Sequence, residues 1–149
     1  SLRGQISDLS PLSLRSSMTG RAASSSLTNL TFLGLPSNII SDISPLASLP
    51  NLTSLGLGDN QITDISPLAS LPNLTSLELS DNQISDLSPL ASLPNLTELR
   101  LSDNQIIDIS PLALIAKLDY LELATNHLNR EAIDVYAPIL ESKGVEVNL

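Results

Sequence analysis

Leu-x-Leu triplets, apolar toward one side of a short extended segment and polar toward the other, recur along the chain every 22 residues, starting at Leu33, Leu55, Leu77, Leu99 and Leu121. Alternation of this kind marks a strand with one buried face. Three consecutive blocks beginning at Ser44, Ser66 and Ser88 share 18 of 22 positions between neighbours, and the same interval separates Asn38, Asn60, Asn82, Asn104 and Asn126. After the triplet, a segment such as Asp59-Asn60-Gln61 supplies turn residues. Ser66-Pro67-Leu68 then sets a capping serine and a helix-initiating proline at the start of a short helical turn. Too few residues remain before Pro72 for more than one turn, which predicts 3₁₀ geometry.

A strand and one turn cannot bury their own leucines, so the blocks must stack, and equivalent positions become columns through a shared core. In one coil, Leu52, Leu55, Leu57, Ile62, Ile65, Leu68 and Leu71 are assigned inward. Asn38, Asn60, Asn82, Asn104 and Asn126 are assigned as a structural ladder at the strand-to-turn corner, where each amide offers donors and an acceptor to the backbone of adjacent coils.

The spacing LxxLxLxxNxI resembles the leucine-rich repeat. It is similar to the 22-residue class of the bacterial internalin-like proteins, whose DIxPLAxLxNLxxL signature reads here as residues 64–77 and recurs in the neighbouring blocks. The resemblance covers residues 27–128. It implies an α/β solenoid: a right-handed leucine-rich repeat arc with a concave parallel β-sheet, short 3₁₀ turns on the convex side, and a role in binding proteins or other large ligands. A secreted or cell-surface bacterial location is implied by the resemblance alone.

The chain reads as one leucine-rich repeat domain over 1–149: a partial repeat plus a Ser/Arg-rich insertion (1–26), the repeats (27–128) and a C-terminal cap (129–149). Gln5 to Leu12 matches the second half of a repeat. Pro11 and Pro45 are 34 residues apart, which is 22 plus 12, so about a dozen extra residues fall between Leu12 and Leu27. Their serine-rich composition predicts a mobile loop. With no dedicated N-terminal cap, the strand near Thr31 to Leu35 is expected to present an edge, open to pairing in a homodimer. At the other end, Arg130 to Gly144 reads as a helix capped by Asn129, interrupted at Pro138 and closed by Gly144, followed by a strand at Val145 to Val147 that covers the last coil.

Composition narrows the function. The 149 residues include 32 leucines but only three aromatics, Phe32, Tyr120 and Tyr136, so the core is aliphatic. A net charge of −9 repels phosphate backbones, which excludes nucleic acid as a partner class. Residues 1–22 carry net +2 (three Arg, one Asp), leaving −11 for the rest. There is no cysteine for a thiol or disulfide, and no apolar run long enough to insert in a membrane. No nucleophile–base pair, phosphate loop or metal cluster is visible, and the single histidine, His127, occupies the turn column of Gln61, Gln83 and Gln105. The reading is a non-enzymatic module with no cofactor and no metal.

Its binding surface is expected on the concave face. The outward columns are Phe32, Ser54, Ser76, Glu98 and Tyr120; Gly34, Gly56, Glu78, Arg100 and Glu122; and Pro36, Gly58, Ser80, Ser102 and Ala124. Partner contacts are assigned to Phe32, Ser54, Glu78, Glu98, Arg100, Tyr120 and Glu122, with a protein ligand of basic character. The alternatives are a scaffold, duplicated or engineered, without a dedicated ligand, and a ladder-type ice or calcium binder built on the columns of Thr31, Thr53, Thr75 and Thr97 or of Asp59, Asp81 and Asp103. Asp42, Asp64, Asp86 and Asp108 are read as caps of the convex turns. A binder should concentrate its variation on the concave columns; an idealised array should vary without regard to face.

Overall fold

The computed structural model describes residues 6–9 and 29–149. Six three-residue strands form one parallel sheet in chain order: β1 (Phe32–Gly34), β2 (Ser54–Gly56), β3 (Ser76–Glu78), β4 (Glu98–Arg100), β5 (Tyr120–Glu122) and β6 (Glu146–Asn148). Leu33 pairs with Leu55, Leu55 with Leu77, Leu77 with Leu99 and Leu99 with Leu121. The sequence period is therefore the register of the sheet. The seven residues assigned inward in the coil of Leu55 are all buried, as are their equivalents in the following coils as far as Leu123, in one continuous core, while Leu30, Leu33 and Leu35 of the preceding coil are partly covered. At the two ends of the sheet the central residues, Leu33 and Val147, are only partly covered, because among the described residues no further strand lies outside either of them.

On the opposite side, 3₁₀ turns at Ser44–Ser48, Ser66–Ser70, Ser88–Ser92 and Ser110–Leu114 bring each coil back, with proline in their first residues. The serine expected to cap them is instead their first residue and makes no side-chain cap. Capping falls to the aspartate two positions earlier: Oδ1 of Asp42, Asp64, Asp86 and Asp108 each accepts the backbone N–H of the following serine at 2.8 Å. A carboxylate is the better acceptor for a free N–H at a turn start, which is why the aspartates assigned as caps take the role. The backbone and hydroxyl donors of Ser44 hold the Asp42 carboxyl below its ordinary pKa, and the hydroxyl and backbone N–H of Ser88 do the same for Asp86.

The corner between strand and turn is built by the asparagines. Asn82 Oδ1 accepts the N–H of Ile62 at 3.0 Å, while its Nδ2 donates to the carbonyls of Leu57 in the preceding coil and Leu79 and Ser80 in its own, each at 3.1 Å. Asn60, Asn104 and Asn126 repeat the pattern. The residue before each asparagine (Ser37, Asp59, Asp81, Asp103, Thr125) adopts a positive φ of 53° to 58°. Aspartate tolerates that left-handed conformation better than most residues, which accounts for the Asp column.

Residues 6–9 complete the first layer. Ile6 donates to Asn38 Oδ1 at 3.1 Å and Ile39 donates to the Ile6 carbonyl at 3.1 Å, while Leu9 is buried. Ile40 stands in the same relation to Asn60, but Ile6 and Asn38 are 32 residues apart and Ile40 and Asn60 are 20 apart. The difference is the twelve inserted residues read from the sequence. The insertion itself, with Arg15 and Arg21, lies outside the described residues. Residues 6–9 thus pack on the first coil, and among the described residues β1 is the outer strand of the sheet.

The C-terminal cap begins where Asn129 Oδ1 accepts the Ala132 N–H at 2.7 Å. The segment is helical without a break over 130–142, with a π-turn at Ala132–Tyr136 running into α1 (Ala137–Ser142). The widened turn lies just ahead of Pro138, whose ring cannot pack against the carbonyl four residues back in regular α geometry. Gly144 closes the helix at φ 92°, and β6 pairs with β5 through Leu121 and Val147. Ala132, Ala137, Leu140 and Val145 are buried over the last coil.

Denaturant and thermal melts should show three outcomes. Leu77→Ala is expected to destabilise by about 2 to 5 kcal/mol through cavity formation. Asn82→Ala removes less volume but orphans the Ile62 N–H and three carbonyl contacts, each worth about 1 to 3 kcal/mol when left unmade, so its loss should rival that of Leu77→Ala. For Asp86, whose folded pKa lies below the ordinary value of 3.8, the stabilisation is complete above that value and is lost as pH falls through the lower folded one. The melting temperatures of wild type and Asp86→Asn should therefore differ at about pH 5 and converge toward about pH 2.

Candidate functional site

Strand alternation points the first and third residue of every strand away from the core. The strand register stacks Phe32, Ser54, Ser76, Glu98, Tyr120 and Glu146 in one outward column, and Gly34, Gly56, Glu78, Arg100, Glu122 and Asn148 in the next. All seven residues assigned to partner contacts lie in these two columns. Glu146 and Asn148 were not among them, because the cap strand falls 26 residues after Tyr120 and so outside the 22-residue period. The alternation of Val145-Glu146-Val147 was the available signal.

The face has two unlike halves. Across β1 and β2 it is a low floor of Gly34, Gly56 and Ser54 beside Phe32, which is 66% exposed. A Cβ placed on Gly56 would touch only the Gly34 Cα, at 3.8 Å, so the floor is open. Across β3 to β6 it is ionic. Arg100 Nη1 lies 2.5 Å from Glu98 Oε1 and its Nε 3.6 Å from Glu122 Oε2, while the guanidinium carbon stands 5.1 Å from the centre of the Tyr120 ring, a cation–π distance. Tyr120 donates its hydroxyl to Glu122 Oε2 at 3.2 Å, and Ser76 donates to Glu98 Oε2 at 3.0 Å. Partial burial works against the Arg100 charge, but the hydrogen bond with Glu98 and the coulombic influence of Glu98, Tyr120 and Glu78 outweigh it and raise the guanidinium pKa above its ordinary value. Glu78 turns back to accept the Ser80 N–H at 2.6 Å.

The third column is less available than the alternation implied. Gly58 and Ser102 are buried, and the Ser102 hydroxyl has no hydrogen-bond partner. Glu78 lies over Gly58, close enough that an added Cβ would meet its Oε1 at 3.2 Å.

The ladders resolve differently. Thr53, Thr75 and Thr97 each donate their hydroxyl to the carbonyl of the threonine one coil earlier, at 2.9 to 3.0 Å. Asn73 and Asn95 likewise donate to the carbonyls of Pro50 and Pro72. These columns, with Lys117, line a shallow groove of about 740 Å³ beside the sheet. Their donors face the chain itself, which leaves little of the free hydroxyl array that an ice-binding face requires. The Asp59, Asp81 and Asp103 column serves the left-handed corner, and among the described residues no group of three or more His, Cys, Asp or Glu is placed to hold a metal. His127 is exposed in its turn column, and no described helix is long and apolar enough to cross a membrane.

A family profile described as Leucine Rich repeats (2 copies) matches residues 28–70, 50–92 and 72–114. The chain belongs to the leucine-rich repeat family. This leucine-rich repeat chain is similar in structure to internalin C2 of Listeria monocytogenes, at 48% identity and a TM-score of 0.67, over 82% of this chain and 47% of that one. It is also similar to the internalin inlF of Listeria monocytogenes, at 34% identity and a TM-score of 0.67, over 97% and 51%. A Leptospira interrogans leucine-rich repeat protein, at 24% identity, shares the fold with a TM-score of 0.73 over 99% and 41% of the two chains. The leucine-rich repeat domain described here thus spans about half the length of the internalins it matches and is internalin-like. No curated protein matches the sequence.

Proposed function

We propose that this leucine-rich repeat domain is a non-enzymatic protein-binding module that engages a partner of basic character through the concave sheet face. Leucine-rich repeat proteins generally mediate protein–protein interaction, and that supports the coarse reading. The finer one rests on where the repeats differ. Five columns change between the three near-identical blocks: 54/76/98, 56/78/100, 58/80/102, 63/85/107 and 65/87/109. The first two are the outward positions of the strands; in the third Gly58 and Ser102 are buried, and the last two lie off the sheet face. Charge changes only in the two outward columns, where a partner would touch, which is the single observation that favours a binder over an idealised scaffold.

Charge supports the basic partner. Glu78, Glu98, Glu122 and Glu146 are opposed on the two outward columns by Arg100 alone. The exposed Phe32 and the half-buried Tyr120 supply aromatic surface of the kind that anchors interfaces, four strands apart, or about 19 Å at the usual strand spacing.

The test is site-specific photo-cross-linking from Ser54 and Ser76 on the sheet face, with Ser70 on the convex turn as control, against proteins retained by the immobilised chain. Cross-links are expected from the sheet face only, weaker at high salt, and reduced roughly tenfold or more when Phe32 and Tyr120 are replaced by alanine. Equal or stronger cross-linking from Ser70 refutes the assignment.

A further inference from the structure

Arg100 is the one basic side chain on the two outward columns, and the face is expected to attract basic partners. An arginine in such a place reads at first as a contact residue. Its surroundings point elsewhere. The guanidinium lies between two carboxylates, Glu98 on its own strand and Glu122 on the next, and over the ring of Tyr120. Two carboxylates and an aromatic face are the components from which proteins build sites for a partner's arginine or lysine.

We infer that Glu98, Glu122 and Tyr120 form a cation seat, that Arg100 fills it from within the chain, and that Arg100 thereby lowers the affinity of the sheet face for basic segments. The inference rests on the sheet face being the binding surface. Arg100 and Glu98 side chains are each 37% exposed and Glu122 is 33% exposed, so the pairs are open to solvent and exchangeable. Among the described residues neither Glu78 nor Glu146 forms an ion pair. A basic partner therefore finds two unneutralised carboxylates flanking a seat that is already occupied. Displacing Arg100 would free the seat, and removing it should do the same permanently. A contact residue and a resident occupant thus give opposite signs on deletion.

The measurement is fluorescence anisotropy of a fluorescein-labelled tetra-arginine peptide with the full chain at low and at physiological salt. Arg100→Gln is expected to tighten binding roughly three- to tenfold, with a steeper salt dependence, because one positive charge leaves the face and two carboxylates become available. Arg100→Lys should stay near wild type, since an ammonium still occupies the seat, though without the planar fork. Adding Glu98→Gln and Glu122→Gln to Arg100→Gln should abolish the gain. Weaker or unchanged binding by Arg100→Gln overturns the inference, as does a gain that survives loss of both glutamates. Unaltered melting of the half-exposed variants confirms that they fold. The peptide reads the seat without the natural partner, so cross-linking that runs from the convex side would end the sheet-face reading while leaving this result intact.

Discussion

A solenoid coil must turn corners inside its own core, where backbone N–H and carbonyl groups have no water to meet. The asparagine column is the solution to that constraint in this protein. One side chain satisfies a buried N–H in the preceding coil through its oxygen, and carbonyls in both coils through its nitrogen, as Asn82 does for Ile62, Leu57 and Leu79. No apolar residue can replace it, and no other residue of its length carries both donors and an acceptor. The bond also fixes the vertical relation of successive coils, so the leucine columns fall into register as a consequence. Even the first layer obeys it: Ile6 docks on Asn38 although twelve additional residues intervene in the chain.

Once the inward side of each coil is committed to leucine, isoleucine and asparagine, the outward residues of the strands are free of structural duty. Gly56, Glu78 and Arg100 occupy equivalent places on the same backbone, and all three are accommodated without any change in strand pairing. Core packing and surface chemistry are thereby separated along the same three residues of each strand. The cost of the arrangement lies at the left-handed corner. Ser37 and Thr125 hold positive φ values with no glycine to ease them, at the first and last repeats, where the blocks have diverged most.

Period and alternation made the sheet register, the buried set, the asparagine ladder and the twelve-residue offset readable before any coordinates. They could do so because each depends on position along the chain alone. What was not readable depends on contacts between side chains of different columns. The period places Glu98, Arg100, Tyr120 and Glu122 on one face, but not the cross-strand geometry that closes them into a network, which turns on rotamers. Burial of Ser102 has a similar origin, since the alternation places it outward and only its packed surroundings enclose it. The cap strand was recognised as a strand by its own alternation, yet its place beside β5 is fixed by the length of the π-turn and α1, which follow no repeat.

Regular spacing also marks features that hold the coils together. The threonine column is as periodic as the sheet columns and more nearly invariant, and its hydroxyls lie along a groove. The hydroxyls of Thr53, Thr75 and Thr97 are nevertheless spent on a carbonyl one coil earlier, so their regularity serves the stacking itself. The contrast with the sheet face is a matter of direction. A polar side chain that bonds the neighbouring coil must be the same in every coil, whereas one that faces solvent is released from that requirement. Invariance at threonine and asparagine and divergence at 56, 78 and 100 are then two results of one rule, and the diverging columns are where selection by a partner has room to act.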